Sequence, residues 1–291
     1  MRKSTVDALT SAGLDPAWVD DVVRRALDED LGDRGDVTSL ATIPSGHSGT
    51  ADVIARSGGI VAGLPVAVAV FDRVVDGVRI DQHRRDGDRV SRGDVLLTVA
   101  GSVQRLLTAE RTMLNLLCRA SGVATAARAW ADELAGTGAV VLDTRKTTPG
   151  LRALEKYAVR CGGGTNKRLG LYDVAMIKDN HIVAAGGVAA AFEAVLRTFP
   201  GIDIQVEVST VDMAVEAVRA GATFLLCDNM PPDELRGVVA AVGPAVELEA
   251  TGGLTLARAR EYADTGVHYL SVGALTHSAP ILDIAMDLRG R

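Results

Sequence analysis

DIQVEVSTVDMAVEAVRAGATFLLCDNMPPDELRGVVAAVGPAVELEATGG, residues 203–253, decides the fold. Short apolar runs of strand length stand at 204–208, 224–226 and 246–248, and between them 211–220 and 232–242 carry apolar residues at helical spacing. Strands alternating with helices over short connections imply a parallel sheet whose crossovers are helical. The same rhythm extends outward, with strand-like runs at 140–142, 174–177 and 269–272 and helical stretches at 188–198 and 255–265. Six such units predict an α/β fold closed, or nearly closed, as a barrel. An open doubly wound sheet shares the local pattern, and six units fall short of the eight of the standard barrel, so the pattern leaves closure open.

In either architecture ligands bind where the carboxyl ends of parallel strands meet their loops. The residues there are Asp143, Arg145 and Lys146; Lys178, Asp179 and Asn180; Glu207; Asp228 and Asn229; Glu249 and Thr251; and Gly273. Helix capping alone does not call for so many charges, so these ends read as a binding site. Between Arg145 and Lys178 stand eight Lys or Arg (Arg145, Lys146, Arg152, Lys156, Arg160, Lys167, Arg168, Lys178) against Glu155 and Asp173, in a chain of net charge -6. Nine acids occupy 203–249 against Arg219 and Arg236, so one sector of the mouth is expected to be basic and the other acidic. Arginine forks suit carboxylate or phosphate, and carboxylates suit sugar hydroxyls, a divalent metal or a developing positive charge. The turns at Thr251, Gly252, Gly253 and at Gly273, Ala274 can bring backbone N–H groups close to a phosphate. Gly162, Gly163 and Gly164 read either as a flexible loop or as a close backbone approach to a ligand. The ligand set is an anion, a polyhydroxylated group and a phosphate, with magnesium: a sugar-phosphate reaction.

The chain before residue 140 reads differently. Residues 15–29 form a docking helix with Asp15 as N-cap and Pro16 inside it. A Gly- and Asp-rich stretch, DLGDRGDVTSLATIP, reads as a loop of capped turns. Strand-like runs at 49–56 and 60–62, a helix over 64–74 opened by Pro65, and a hairpin over 86–99 suggest a small α/β module. That hairpin resembles those of biotin- or lipoyl-carrier domains, but no lysine stands between Lys3 and Lys146 to be modified. The apolar period of 106–123 predicts a helix closed by Gly122, with Arg111 as a solvated charge on its less apolar side.

With 291 residues the chain can form two domains, and 47% hydrophobic with 23% charged residues excludes a disordered or fibrous protein. Aromatics are only 3%, so the core is aliphatic. No signal-peptide h-region and no run of about 18 apolar residues is present, which leads us to expect a cytoplasmic protein with no membrane partner. Cys118, Cys161 and Cys227, odd in number and without C-x-x-C spacing, suggest neither a disulfide framework nor a zinc knuckle. The acidic total argues against nucleic acid as a partner.

Residues 143–181, DTRKTTPGLRALEKYAVRCGGGTNKRLGLYDVAMIKDNH, together with LDEDLG, ERTMLN, VEV, CDN and SVGALTHS, resemble the quinolinate phosphoribosyltransferase family over essentially the full length. The resemblance implies an N-terminal α/β sandwich, placed at 1–115 and joined by 276–291, and an incomplete, roughly six-stranded α/β barrel at 116–275. It implies transfer of phosphoribose to quinolinate, giving nicotinate mononucleotide, pyrophosphate and carbon dioxide, in de novo NAD biosynthesis. Carried over by position, Arg145, Lys167, Arg168 and Lys178 would hold quinolinate. Arg111 would reach the neighbouring subunit's site in a homodimer or larger assembly. Lys146, Glu207 and Asp228 would be catalytic and would contact phosphoribosyl pyrophosphate, with Thr251, Gly252, Gly253, Gly273 and Ala274 at its phosphate. Glu207 and Asp228 would lie in the Mg2+ shell. Two departures stand out: Lys167 where the family has His, and Thr251 where it has Ser. The first keeps open another pyridine or nitrogen-base acceptor. A binding-only relative would be expected to lack Lys146, Glu207 or Asp228.

Overall fold

The computed structural model describes residues 1–290, which divide into two compact units. The first comprises Met1–Arg128, Thr148–Gly163 and the chain from Ser278 onward; the second comprises Ala129–Thr147 and Gly164–His277. Alongside the expected 1–115 and the returning C-terminal segment, the first unit also includes 116–128 and the helix Arg152–Cys161.

In the first unit, four antiparallel strands run in the order Ile284–Leu288, Ser48–Ala55, Val95–Ser102, Arg79–Gln82. Alternation along Ser48–Ala55 buries Ala51, Val53 and Ala55, the period of two expected of a sheet with one face on a core. Helix Pro16–Leu31 starts as the sequence indicates, with the Asp15 carboxylate accepting from Ala17 N at 2.9 Å and Pro16 in its first turn, and it buries Val19, Val23 and Leu27. Its neighbour Leu64–Val74 buries seven of its eleven residues, Phe71 among them.

Three local expectations change. The capped loop contains a short helix, Val37–Thr42, for which Asp36 is the cap, accepting from Ser39 N at 2.9 Å. The hairpin over 86–99 is absent: Arg89–Val90 pairs with Gly59–Ile60, while Val95–Ser102 joins the four-stranded sheet. Gly122 does not end its helix, which runs Val103–Glu133. A Cβ at Gly122 would fall 2.1 Å from the Pro280 carbonyl oxygen, so this glycine lets the returning chain pass against the helix. Gly162 has the same role: a Cβ there would fall 2.3 Å from the Ala124 carbonyl, a helix-packing contact and not an approach to a ligand.

The second unit is a six-stranded parallel sheet in the order Val140–Leu142, Tyr269–Ser271, Glu247–Thr251, Phe224–Asp228, Asp203–Val208, Val174–Ile177. Helices Val188–Thr198, Val211–Arg219 and Pro232–Val242 connect successive strands as the periodicity indicates. The 255–265 stretch instead forms a 3-10 turn, Leu256–Arg258, and the short helix Ala259–Ala263. Among the described residues no ladder joins the two outer strands. Thr165 supplies an isolated bridge to Leu142 beside the first of them, so the barrel is incomplete. Side-chain contacts nevertheless cross its interior, such as the bond from Gln205 Nε2 to Glu249 across the intervening strand.

Candidate functional site

The six strand ends open onto one cavity of about 600 Å³, within the range of small-molecule sites. All its lining residues belong to the second unit. Lys146, Glu207 and Asp228 line it, as do Arg145, Lys167, Arg168 and Lys178, and so do Thr251, Gly252, Gly253, Gly273 and Ala274. Arg111 is outside this lining, exposed on the long helix of the first unit.

Of the eight cations between Arg145 and Lys178, five line the cavity; Arg152, Lys156 and Arg160 sit on a helix of the first unit, where Lys156 is 1% exposed. The basic segment is therefore not one patch. The expected acidic sector also thins out. Glu207, Asp228 and Glu249 reach the cavity, whereas Asp212, Asp233 and Glu234 are exposed on helices.

Asp143 organises the basic side. It is buried at the end of Val140–Leu142 and accepts from Asn166 Nδ2 at 2.6 Å and from Lys167 N at 3.2 Å. Those bonds fix the segment that carries Arg168 beside the strand end that carries Arg145. Burial first, and then the charge of Arg145, push the Arg168 guanidinium below its usual pKa, against the pull of Asp173. Arg168 Nε is a buried donor with no hydrogen-bond partner among the described residues. Two guanidiniums this close are relieved by an anion that both can grip.

At two neighbouring strand ends, Lys178 Nζ forms an ion pair with Glu207 Oε2, and the Lys178 backbone N donates to His181 Nδ1 at 3.0 Å. Asp228 accepts from Asn229 Nδ2 at 2.9 Å. Asn229 has φ 56, and its backbone N donates to Thr251 O at 2.9 Å. Gly252, at φ 92, is required here, since a Cβ would lie 2.2 Å from Asn229 Oδ1. At Gly273 a Cβ would meet Lys146 Cδ at 2.9 Å, so the last turn and Lys146 are packed together; Thr276 Oγ1 also donates to Lys146 O at 2.8 Å.

Below these groups lies a polar layer the sequence does not announce. Glu249, 3% exposed, accepts from Gln205 Nε2 and from Ser271 Oγ. Burial raises its pKa, offset by those two bonds and by the charge of Lys167. Lys167 turns its ammonium onto the Phe224 ring, 3.2 Å from the centroid, with Tyr269 at 5.4 Å. Burial lowers the Lys167 pKa, opposed by Glu249, Glu247 and Asp203. His277, one helical turn past Gly273, also lines the cavity. Its SVGALTHS segment marked the resemblance, but only the short helix Ala274–His277 brings the ring to the site.

Among the described residues no group of three or more His, Cys, Asp or Glu is arranged to hold a metal by itself. Glu207 and Asp228 are hard oxygen donors on one cavity. They fit a Mg2+ completed by substrate phosphate oxygens and water, the usual way that ion is held.

The family description "Quinolinate phosphoribosyl transferase, C-terminal domain" matches residues 123–287, and its N-terminal counterpart matches residues 36–121. Over 273 residues the chain is 49% identical to the nicotinate-nucleotide pyrophosphorylase [carboxylating] of Mycobacterium leprae, covering 92% of this chain and 96% of that protein. It is 43% identical over 262 residues to a probable nicotinate-nucleotide pyrophosphorylase [carboxylating] of Bacillus subtilis, covering 89% and 90%. The crystal structure of NadC from Streptococcus pyogenes superposes with TM-score 0.91 at 36% identity, covering 95% of this chain and 97% of that one. The nicotinate-nucleotide pyrophosphorylase from Francisella tularensis gives 0.90 at 33% identity, covering 94% and 96%.

Proposed function

The chain belongs to the quinolinate phosphoribosyltransferase family, and from that premise we propose how its cavity works. It is a carboxylating nicotinate-nucleotide pyrophosphorylase of de novo NAD biosynthesis. Quinolinate and phosphoribosyl pyrophosphate give nicotinate mononucleotide, pyrophosphate and carbon dioxide.

The observation that carries the assignment of roles is the grouping of charges in the cavity: the partly buried Arg145 and Arg168 act on one another, while Glu207 and Asp228 stand at the ends of two neighbouring strands. The two guanidiniums, with Lys178, take the two carboxylates of quinolinate. Glu207 and Asp228 face the ribose, binding its hydroxyls and stabilising the positive charge that develops at C1 as pyrophosphate leaves. Lys146 neutralises the departing pyrophosphate. A Mg2+ held by Glu207 and Asp228 would supply further charge neutralisation at the leaving group. The turns at Thr251 to Gly253 and at Gly273 to Ala274 take the 5′-phosphate on backbone N–H groups. His277, beside Gly273, is placed to donate to the same phosphate.

The order of steps follows from electron demand. Attack of the pyridine nitrogen on C1 makes that nitrogen quaternary, and only then can the ring hold the electron pair left when the adjacent carboxylate departs as carbon dioxide; a proton from water then takes up that pair at the ring carbon. Decarboxylation therefore follows glycosyl transfer. Arg111, exposed on the first unit, is assigned to the site of a second copy, which makes a dimer the smallest active assembly.

Quinolinate labelled in the carboxyl adjacent to the ring nitrogen tests the order directly. Labelled carbon dioxide should appear only when phosphoribosyl pyrophosphate is present. Release in its absence would overturn it.

A further inference from the structure

Lys167 stands where its relatives' pattern places a carboxylate-binding histidine, yet its ammonium is not at the strand ends. It is centred over Phe224, the first residue of Phe224–Asp228, beside Tyr269, the first residue of Tyr269–Ser271. Four residues of rise separate Phe224 from Asp228, about 13 Å along the strand. The backbone of Lys167 is bonded to Asp143 at the mouth, so the side chain runs inward, away from the openings of the strands. Phe224 and Tyr269 stack with centroids 5.7 Å apart, and together they offer the ammonium a π face.

Glu249 is buried, lines the cavity and, among the described residues, is hydrogen-bonded only by the neutral side chains of Gln205 and Ser271. Its bonds to Gln205 and Ser271 reach two other strands, and the one to Gln205 spans the intervening strand Phe224–Asp228. Gln205 lies two residues before Glu207, and Ser271 two residues before Gly273, so each shares a face with a residue at the mouth. Among the described residues Gln205 Oε1 is buried without a hydrogen-bond partner, so the amide's orientation rests on the bond from Nε2 to Glu249.

We propose, resting on the transferase reading above, that Lys167 is a positioning residue: its ammonium neutralises Glu249 beneath the site, and Glu249 in turn holds the strands that present Glu207 and Gly273. Quinolinate's carboxylates are then held by Arg145, Arg168 and Lys178 without Lys167. The charged and titratable groups around the pair are Asp143 from the first strand end, Cys227 and Tyr269 from the two adjoining strands, Glu247 from the same strand, and Asp203 near Lys167. Burial opposes ionisation of Glu249, so its contribution to stability declines as pH rises through its raised folded-state pKa. Lys167 limits that decline.

The test compares the wild type with Lys167→Met, Lys167→Arg, Glu249→Gln and the Lys167→Met/Glu249→Gln double variant, by melting from pH 5 to 7.5, by calorimetric quinolinate binding and by steady-state kinetics. Lys167→Met should melt about 3–6 °C below wild type at pH 7.5 and closer to it at pH 5, and that pH dependence should vanish in the Glu249→Gln background. Its quinolinate Kd and KM should stay within about 3-fold. Its kcat should fall about 10-fold, with the acid limb of kcat/KM moved up about one pH unit and partly restored by Lys167→Arg. A rise of about 30-fold or more in quinolinate Kd, with melting and pH profile unmoved, would make Lys167 a direct carboxylate ligand and overturn the proposal. Should Lys167→Met fail to fold, the double variant folding where the single does not supports the coupling, and failure of both overturns it. If wild type itself does not turn over quinolinate, the transferase reading fails, and the melting comparison alone decides on the coupling.

Discussion

Gly252→Ala probes the part of the site where backbone geometry and ligand contact coincide. At φ 92 the position lies outside the conformations an L-residue adopts readily, and the left-handed region costs a non-glycine residue about 1–2 kcal/mol. The added methyl would also sit 2.2 Å from Asn229 Oδ1. Asn229 must then swing away, losing its 2.9 Å bond to Asp228, worth about 1 kcal/mol. The sum, about 2–3 kcal/mol, corresponds to a fall in Tm of about 5–10 °C. The turn should also lose one amide contact to the 5′-phosphate. A hydrogen bond to a charged group contributes about 1.5–3 kcal/mol, so the KM for phosphoribosyl pyrophosphate should rise about 10- to 150-fold while quinolinate affinity changes little. Differential scanning fluorimetry and initial rates with each substrate varied in turn give both quantities. A Gly252→Ala variant with unchanged Tm and unchanged KM for phosphoribosyl pyrophosphate would refute the reasoning.

Arg168→Met should raise the quinolinate KM by at least about 10-fold and leave that of phosphoribosyl pyrophosphate within about 3-fold, since a charge-assisted grip on the acceptor alone is removed; equal effects on both substrates would count against the roles assigned from the grouping of charges. Burial pushes the Cys161 thiol up to about 11 and the Cys227 thiol up to about 12, and raises Cys118 as well, so little thiolate exists at pH 8. Mass spectrometry after iodoacetamide treatment at that pH should show the native protein essentially unmodified and the unfolded protein with three adducts; rapid native labelling would contradict the burial.

The second unit is legible in the sequence because its strands read as continuous apolar runs, the central ones, Phe224–Asp228 and Glu247–Thr251, buried along most of their length. The predicted 140–142 and 174–177 coincide with the observed Val140–Leu142 and Val174–Ile177, and 188–198 and 232–242 with observed helices. Phe224–Asp228 and Glu247–Thr251 extend past their apolar runs because their last residues are the polar ones that face the cavity. The sequence misleads where a residue's role is set by a distant segment. Gly122 looks like a helix terminator until Pro280 is seen against it, and 86–99 looks like a hairpin until its halves are seen to pair elsewhere.

The site followed the same division. A rule about strand ends was enough to find Arg145, Lys178, Glu207 and Asp228, since parallel strands with helical crossovers all open on one side. Which way Lys167 points was not legible, because it depends on Phe224 and Tyr269, about 57 and 102 residues further along and on two other strands. Gln205 and Ser271 were hidden for a related reason: inside strands a polar residue announces burial or exposure only once its face is known.

The most direct test is product analysis by mass spectrometry, with quinolinate or nicotinate offered in turn alongside phosphoribosyl pyrophosphate and magnesium. Nicotinate mononucleotide formed from quinolinate, with stoichiometric carbon dioxide and none from nicotinate, is the expected result. No turnover of quinolinate by folded protein, or turnover of nicotinate in its place, would contradict the assignment of Arg145, Arg168 and Lys178 to a dicarboxylate acceptor.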